Sequence, residues 1–399
     1  MSASKTSADR AAALAATRNR KMARSAHAYV RGSTVKFYAW LDTAPANVPE
    51  GPPVWICGDC HLGNLGPLAD SKGRIAVQIR DLDQTVIGNP AHDLIRLGLS
   101  LASAARGSDL PGVTTARILE QLMVGYEAGL AGDFDRESEA AARPETVRDL
   151  IDRAGRRKWR HLAEERFDTV EPVLPLGKKF WALSKAERKA LGALFEQDAV
   201  RTLITGLKSR SGDDPVTLID AAYWVKGCSS LGRMRYAAMV RVGEGRSASL
   251  CLVDSKEAVT AAAPRSAQAP MPRDNAVRVV AGAKALSPNL GERMLATRLL
   301  DKGVVMRELM PQDLKLEVDQ LTRSRAAHLA AYLGAVVGKA HGRQMSAGDR
   351  QGWLGALARV RPMALDAPGW LWSSVVTLLG IHEAAYLEHC RRFALAKAA

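Results

Sequence analysis

The chain has 399 residues, of which 47% are hydrophobic and 25% are charged, and its formal net charge is +14. This composition is typical of a globular protein of two or three domains and excludes wholesale disorder, a fibrous repeat and a bundle of membrane-spanning helices. The positive charge favours an anionic partner. ATP, a phosphorylated substrate, nucleic acid and a membrane surface all qualify, so charge alone does not select one.

Two features of the sequence indicate where the protein resides. Residues 1–22 are rich in Ala, Ser and Arg and lack the apolar core of a secretory signal, and no apolar run is long enough to cross a bilayer. The five cysteines are few and odd in number, which argues against a disulfide-stabilised scaffold and for a reducing compartment. The sequence therefore predicts a cytoplasmic protein with no membrane association.

The first half of the chain is predicted to be mainly helical, with a few short strands. Apolar runs and alternation indicate the strands, and apolar residues at helical spacing indicate the helices. In chain order we expect a basic helical segment at 1–25, a break at Gly32, strands at 54–57 and 74–79, helices at 91–106 and 112–132, and charged helices at 133–210 with a capping box formed by Ser184 and Glu187.

The pattern changes near Asp214 and Pro215, where short strands separated by glycine-rich turns predict an antiparallel meander. A helix N-capped by Asp274 follows, and residues 301–303 indicate a hairpin turn after it. The expected strands are 223–226, 236–242, 249–254, 294–300 and 304–309, and the expected helices are 275–286, 326–340 and 370–398.

The densest chemical pattern is Cys57-Gly-Asp-Cys-His-Leu-Gly-Asn64, which is followed by Arg80-Asp-Leu-Asp83 and Gly88-Asn-Pro-Ala-His-Asp93. One interpretation is a metal or haem site, because C-x-x-C-H is the haem-attachment pattern. Haem attachment requires an exported protein, and zinc requires two further ligands at a spacing that the sequence does not provide. Two buried cysteines beside a turn are the simpler interpretation.

The other interpretation is phosphoryl transfer. This chemistry needs an Asp that orients and deprotonates the attacking hydroxyl, and an Asn and a second Asp that hold Mg²⁺ on the phosphates. Asp59, Asn64 and Asp81 occur in this order, and Asp83 is an alternative to Asp81. Oxygen ligands of this kind suit Mg²⁺, which binds few protein carboxylates and keeps several waters.

These motifs resemble those of the aminoglycoside phosphotransferase and choline kinase branch of the protein-kinase superfamily. Gly58-Asp59-x-His61-x-Gly63-Asn64 resembles the catalytic loop, although Cys57 stands where the branch usually has His. Arg80-Asp81 resembles the metal-binding segment, and Gly88-x-Pro90-x-x-Asp93 resembles the motif that braces the loop. The resemblance implies Asp59 as the base, Asn64 as catalytic, Asn64, Asp81 and Asp83 as metal ligands, and His61 and Asp93 as structural support.

The parts that normally precede a kinase catalytic loop lie downstream of it here. Gly227-Cys-Ser-Ser-Leu-Gly232 lies between two expected strands, so its amides could close over phosphates. Lys256 would reach the α- and β-phosphates, and the resemblance therefore implies a catalytic role for it as well. Residues 305–311 resemble a hinge segment whose backbone would bind adenine. The implied ATP-binding residues are Gly227, Ser229, Ser230, Gly232, Lys256, Glu308 and Met310.

This order implies a circularly permuted kinase-like fold of the α+β class, with a small antiparallel-sheet lobe and a mainly helical large lobe. Permutation is physically permissible because the termini of a folded domain often lie close together. The arrangement resembles an uncharacterised bacterial family with a domain of unknown function. The implied divisions are a lead-in at 1–25, large-lobe segments at 26–132 and 323–399, a helical insert at 133–214 and the ATP-binding lobe at 215–322.

The expected function is an ATP- and Mg²⁺-dependent phosphotransferase that acts on a hydroxyl or amine of a small molecule. Kinases pair the strand lysine with a helix glutamate, but residues 275–286 contain none. Glu257, Glu292 and Glu308 are alternative partners. The other functions considered are a protein AMP-transferase and a non-catalytic nucleotide-binding scaffold.

Two further residues are candidates for the cleft, namely Arg31 as a phosphate ligand and His341 at the end of an expected helix. A surface or structural arginine and a helix cap are the simpler interpretations of these two residues. The aromatic content of 5% disfavours nucleic acid as the partner.

Overall fold

The fold was analysed on a computed structural model of the chain, which describes residues 7–43, 48–167, 173–207, 209–227, 231–245, 248–267, 269–316, 322–360 and 367–393. Helices and strands are both present throughout these ranges, so the predicted α+β class is confirmed. None of the helices in the described ranges is long and apolar enough to cross a membrane.

The strands of the described ranges form three antiparallel sheets. In chain order they are β1 (Val54–Ile56), β2 (Leu65–Ala69), β3 (Ile75–Ile79), β4 (Val86–Gly88), β5 (Phe180–Trp181), β6 (Val216–Trp224), β7 (Arg235–Val242), β8 (Ser249–Glu257), β9 (Met294–Leu299) and β10 (Lys302–Glu308). The main sheet has the order β5-β6-β7-β8-β10-β9, and two small sheets pair β1 with β4 and β2 with β3.

The helices surround these sheets and form most of the larger part of the molecule. They are α1 (Ser7–Met22), α2 (Ala26–Gly32), α3 (Thr34–Leu41), α4 (Ala91–Gly107), α5 (Gly112–Ala131), α6 (Arg136–Ala142), α7 (Glu145–Gly155), α8 (Trp159–Phe167), α9 (Lys185–Phe195), α10 (Asp198–Thr205), α11 (Asn275–Leu286), α12 (Pro288–Gly291), α13 (Arg323–Gly342), α14 (Ala347–Arg359) and α15 (Gly369–Phe393).

The predicted meander is present as β6, β7 and β8, but its boundaries differ from the prediction, most of all at the start of β6 and the end of β8. Strand β6 begins at Val216 rather than at residue 223, and β8 continues to Glu257 rather than ending at residue 254. Alternation along β8 places Cys251 and Val253 in the core on one side of the sheet. The longer β8 places Lys256 within a paired strand, opposite Arg235 of β7.

The small sheets position the two acidic loops. Strand β1 ends immediately before Cys57, and β3 ends immediately before Arg80, so the two predicted motifs leave neighbouring strand ends. The backbone N–H of Arg80 donates to the carbonyl of Asn64 at 2.7 Å, which joins the two loops directly.

The core of the helical part is built around α5 and α13, which approach each other through glycines. A Cβ added at Gly129 of α5 would lie 2.2 Å from the carbonyl oxygen of Ala335, and one added at Gly338 of α13 would lie 2.1 Å from the carbonyl oxygen of Tyr126. The two backbones are therefore in contact, and a larger residue at either position would push the helices apart.

We expect Gly129→Ala to lower the free energy of unfolding by about 1–3 kcal/mol, because the new methyl group has no space between the helices. Gly192→Ala in α9 is the matched control, since a Cβ there meets no atom within 4 Å. The control should be neutral or stabilise the protein by up to about 1 kcal/mol, through its helix propensity. Urea unfolding of both variants measures the difference, and equal stability would contradict the close contact.

Candidate functional site

The first acidic loop has a backbone conformation that only glycine adopts easily. Gly58 has a φ of +72°, and a Cβ there would lie 2.1 Å from the carbonyl oxygen of Gln84. Asp93, at the start of α4, accepts hydrogen bonds from the backbone N–H groups of Cys57 at 2.7 Å and Gly58 at 3.0 Å. The Tyr38 hydroxyl donates to the carbonyl of Gly58 at 2.8 Å, so the loop is fixed from two sides.

Asp59 is buried in this loop and is paired with Arg96 of α4. The guanidinium Nε of Arg96 donates to Oδ1 of Asp59 at 2.9 Å, and the same guanidinium donates to the carbonyl of Val30. Burial raises the pKa of Asp59 above its ordinary value, although Arg96 opposes this shift. Oδ2 of Asp59 lies 4.0 Å from Nε2 of His61, and both residues line the cleft described below.

Asp93 is also the end of a buried chain of polar side chains. Nε2 of His341, at the end of α13, lies 3.3 Å from the Asp93 carboxylate, and Nδ1 of His341 lies 3.2 Å from the hydroxyl of Tyr126. The indole N–H of Trp353 donates to the same hydroxyl at 3.1 Å. His341 therefore contacts the Asp59 loop through Asp93, and it is not one of the side chains that line the cleft.

Cys57, Cys60 and Asp93 bring three potential metal-ligand atoms within 4.8 Å of one another. Both carboxylate oxygens of Asp93 are already engaged by backbone N–H groups. Hydrogen bonding to Cys60, together with burial, raises the pKa of the Cys57 thiol well above its ordinary value, whereas a zinc ligand is a thiolate. This geometry favours two buried thiols over a zinc site.

The second acidic loop carries Asp81 and Asp83, and both contact Lys256 of β8. Nζ of Lys256 lies 3.6 Å from Oδ1 of Asp81 and forms a closer ion pair with Asp83. The side chain of Asp81 is 47% exposed, whereas that of Asp83 is 22% exposed. The partial burial of Asp81 opposes its ionisation, but Lys256 and Arg307 hold its pKa well below the ordinary value. Burial and the neighbouring Asp81 raise the pKa of Asp83.

Two of the three glutamates that the sequence suggested as partners of Lys256 pair with other residues. Glu257 pairs with Lys302 at 2.9 Å, and Glu308 pairs with Arg210 at 2.6 Å. In the described part of the chain, Lys256 forms ion pairs with the two aspartates and with no glutamate. The acidic partner of this lysine therefore comes from the Asp81–Asp83 loop rather than from a helix.

Helix α11 holds that loop through Arg278, which is 2% exposed. The guanidinium donates to the carbonyls of Asp83 at 3.1 Å, Val259 at 2.8 Å and Thr85. Burial lowers the pKa of Arg278 to about 10, so it remains a cation at neutral pH. The helix that lacks a glutamate is thus attached to the backbone of the acidic loop by an arginine.

The sheet contributes a buried cationic cluster around Asp254 of β8. Arg235 of β7 donates through Nε to Asp254 at 2.8 Å, and Nε of Arg307 lies 4.0 Å from the same carboxylate. Burial and the nearby Arg166 and Arg235 lower the pKa of Lys226 well below its ordinary value. Several cations thus surround one carboxylate, an arrangement that an anionic ligand would stabilise.

These groups meet in one cleft with a volume of about 510 Å³. Among the described residues, eleven Lys or Arg side chains and four carboxylates line it, so the cleft is strongly cationic. Of the predicted site residues it contains Asp59, His61, Asn64, Asp81, Gly227 and Met310. A narrower inner cavity of about 50 Å³ contains Lys256, Asp83 and again Asp81.

The remaining predicted ATP ligands are placed as follows. Gly232 has a φ of +104° and is not among the cleft-lining residues, and Ser229 and Ser230 lie outside the described residues. The carboxylate of Glu308 is held by Arg210, and its backbone carbonyl accepts from Arg293 at 3.1 Å. The predicted hinge therefore already carries an internal hydrogen bond at the Glu308 carbonyl.

The sequence analysis missed the arginines that hold the two acidic loops. Arg96 follows Asp93 by three residues in α4, and Arg278 lies in the apolar stretch of α11. Each is a basic residue in a largely apolar helix segment, which indicates a buried and paired guanidinium. The pattern predicts burial but not the partner, because Asp59 and the carbonyl of Asp83 are distant in sequence.

Comparison with known proteins identifies the family of the chain. A family model described as "uncharacterized protein conserved in bacteria" (DUF2252) matches residues 10–392. Because the match covers nearly the whole chain, the protein belongs to this bacterial family, as the sequence resemblance suggested. No curated protein and no solved structure matches it significantly.

Proposed function

We propose that this family member is an ATP- and Mg²⁺-dependent phosphotransferase with a kinase-like, circularly permuted fold, acting on a hydroxyl or amine of a small molecule. The observation that supports the proposal is the distance of 3.6 Å between Lys256 of the late sheet and Asp81 of the early acidic loop. A second support is that Gly227 lines the same cleft as Asp59 and Asn64. Segments that are about 170 residues apart thus supply one candidate nucleotide site.

The side chains in the cleft fit a magnesium ion. Asp81 is ionised and half exposed toward the cleft, and the amide N–H of Asn64 donates to the carbonyl of Asp59 at 3.0 Å, which leaves the Asn64 side-chain oxygen as a free acceptor. Carboxylate and amide oxygens are ligands that Mg²⁺ accepts. Asn64 and Asp81 would hold the ion, and Asp83 would remain paired with Lys256. Bound Mg²⁺ would supply charge neutralisation on the phosphates.

The protein side chains have distinct roles in the proposed reaction. Asp59, fixed by the contact of Arg96 with its Oδ1, orients the acceptor hydroxyl and would receive its proton on Oδ2. Lys256 lies at the inner end of the site, where it can contact the α- and β-phosphates. Arg307 of β10 adds positive charge from the sheet. Most of the catalytic effect would come from positioning and charge complementarity.

An ATP-consumption screen against a metabolite library tests the proposal. The wild-type protein should convert ATP to ADP with at least one acceptor, and ATP with Mg²⁺ should raise its melting temperature. We expect Asp81→Ala to lose both the turnover and the magnesium-dependent part of the stabilisation. Asp149→Ala, at an exposed position of α7, is the matched control and should behave like the wild type. If Asp81→Ala keeps its magnesium response, the assignment of the metal site is wrong.

A non-catalytic nucleotide-binding protein is the second candidate, because among the described residues Lys256 forms ion pairs with both aspartates and with no helix glutamate. Magnesium-dependent stabilisation by ATP without consumption of ATP across the library would favour it. Transfer of AMP to a protein would instead release pyrophosphate rather than ADP, so product analysis separates these outcomes.

A further inference from the structure

The cationic surface of the cleft extends beyond the residues that face the proposed phosphate site. Arg24, which follows α1, and Arg31 of α2 both line the cleft, and Arg31 lies beside the Asp59 loop. Arg31 is partly buried, and its Cζ lies 3.1 Å from the position that a Cβ on Gly63 would take. It is therefore adjacent to the loop that carries Asp59 and Asn64.

These two arginines carry uncompensated charge. In the described part of the chain neither guanidinium forms an ion pair, whereas Arg235 is paired with Asp254. The structure thus holds cations on the sheet near Lys256, and it places Arg31 beside the group proposed to activate the acceptor. Arg31 therefore lies where the acceptor, rather than the nucleotide, would bind.

In the part of the chain that the structure describes, the carboxylates of the cleft leave no site for a cationic acceptor. Four of them line it, and Glu165 is neutralised by Arg157 while Asp313 is neutralised by Arg293. The other two are Asp59 and Asp81, which the proposed reaction already uses. Positively charged acceptors such as choline or an aminoglycoside would therefore meet a cationic surface, and binding them would cost electrostatic free energy.

We infer that the acceptor is an anionic hydroxyl compound, such as a small phosphate monoester, whose oxyanion pairs with Arg31 and secondarily with Arg24. This inference rests on the proposed function, because it names the acceptor of that reaction. The acceptor oxygen forms a bond to the γ-phosphorus of ATP as the bond from that phosphorus to the bridging oxygen breaks. Asp59 takes the hydroxyl proton, and ADP leaves with the electron pair of the broken bond. A planar guanidinium suits an oxyanion because it donates two parallel hydrogen bonds.

Matched pairs of ligands test the inference by calorimetry in the presence of Mg²⁺ and a non-hydrolysable ATP analogue. Glycerol 3-phosphate is compared with glycerol, and glucose 6-phosphate with glucose, with choline and an aminoglycoside as cationic probes. We expect at least one phosphate ester to bind. Its neutral counterpart and the two cationic probes should not bind. Arg31→Gln should weaken that binding by roughly 10- to 100-fold, and Arg31→Lys by less, while the affinity for the ATP analogue stays unchanged.

Arg359→Gln, which removes the same charge from an exposed position of α14, is the control and should leave all affinities unchanged. Unchanged binding of the phosphate ester by Arg31→Gln would overturn the inference. Preferential binding or phosphorylation of the cationic or neutral probes would also overturn it. In the case of phosphorylation, the proposed phosphotransferase function would still hold, and only the anionic acceptor would be wrong. Arg31-dependent binding of a phosphate ester without any ATP turnover would support the anion site and count against the proposed function instead.

Discussion

Asp59→Asn is expected to lower the turnover number by about 10²- to 10⁴-fold while leaving the affinity for ATP nearly unchanged. The asparagine amide keeps an oxygen for the hydrogen bond from Arg96, but it cannot accept the acceptor proton. Single-turnover kinetics and nucleotide titration measure the two quantities separately. Turnover near the wild-type level would show that Asp59 is not the base.

The same substitution also removes the negative charge that pairs with Arg96. Because Arg96 has no exposed surface, its unpaired charge should lower the stability of the fold, and this loss must be separated from the loss of catalysis. Asp70→Asn is the matched control, because Asp70 is likewise buried and paired with an arginine, Arg74, at a turn outside the cleft. It should lower the melting temperature without changing turnover per folded molecule.

The pH dependence of the proposed activity in the wild-type protein provides an independent measurement on the same carboxylate. Because burial raises the pKa of Asp59, protonation should abolish activity at a pH above that of an ordinary aspartate. Activity should be fully present above the raised pKa and should decline as the pH falls through it. The Asp59→Asn variant should lack this acidic limb.

The sequence predicted helices well where local signals mark both ends. The helix at 275–286 begins at the N-cap Asp274 and has the predicted bounds, because the cap and the apolar spacing are properties of that segment alone. Strands were predicted less well. Gly66 and Pro67 disfavour a strand, yet β2 forms because it pairs along its length with β3. The end of β8 is polar and is a strand only because β7 and β10 flank it.

The same distinction between local signals and contacts distant in sequence applies to the candidate site. The short motifs predicted which residues would be close together within each loop, because Asp59 and Asn64 are five residues apart in a chain whose turn is fixed by Gly58. They did not predict that Lys256 would pair with Asp83, since that contact joins residues 173 positions apart. No local pattern specifies such a pairing, and the kinase resemblance pointed to a glutamate instead.

Arg278→Met should lower turnover by about 10²-fold, because the arginine holds the backbone of the loop that carries Asp81 and a displacement of about 1 Å at a site can cost this much. The expected cause is loss of the hydrogen bonds to the carbonyls of Asp83 and Val259. Three buried acceptors would lose their donor, so we also expect the free energy of unfolding to fall by about 1–3 kcal/mol. Lys284→Met, at an exposed position of the same helix, is the control.

A purely structural role for Arg278 would lower stability but leave the response to Mg²⁺ intact. If the arginine positions the proposed metal-binding loop, Arg278→Met should need a higher magnesium concentration for half-maximal activity. Arg278→Lys should need less magnesium than Arg278→Met, because the lysine can donate to one or two of the same carbonyls. A kinase helix that supplies a glutamate acts on the lysine, whereas α11 acts on the acidic loop itself. Lys256 then meets its acidic partner whenever α11 is docked, and the site is assembled without a separate lysine–glutamate contact. An unchanged magnesium requirement in Arg278→Met would contradict this arrangement.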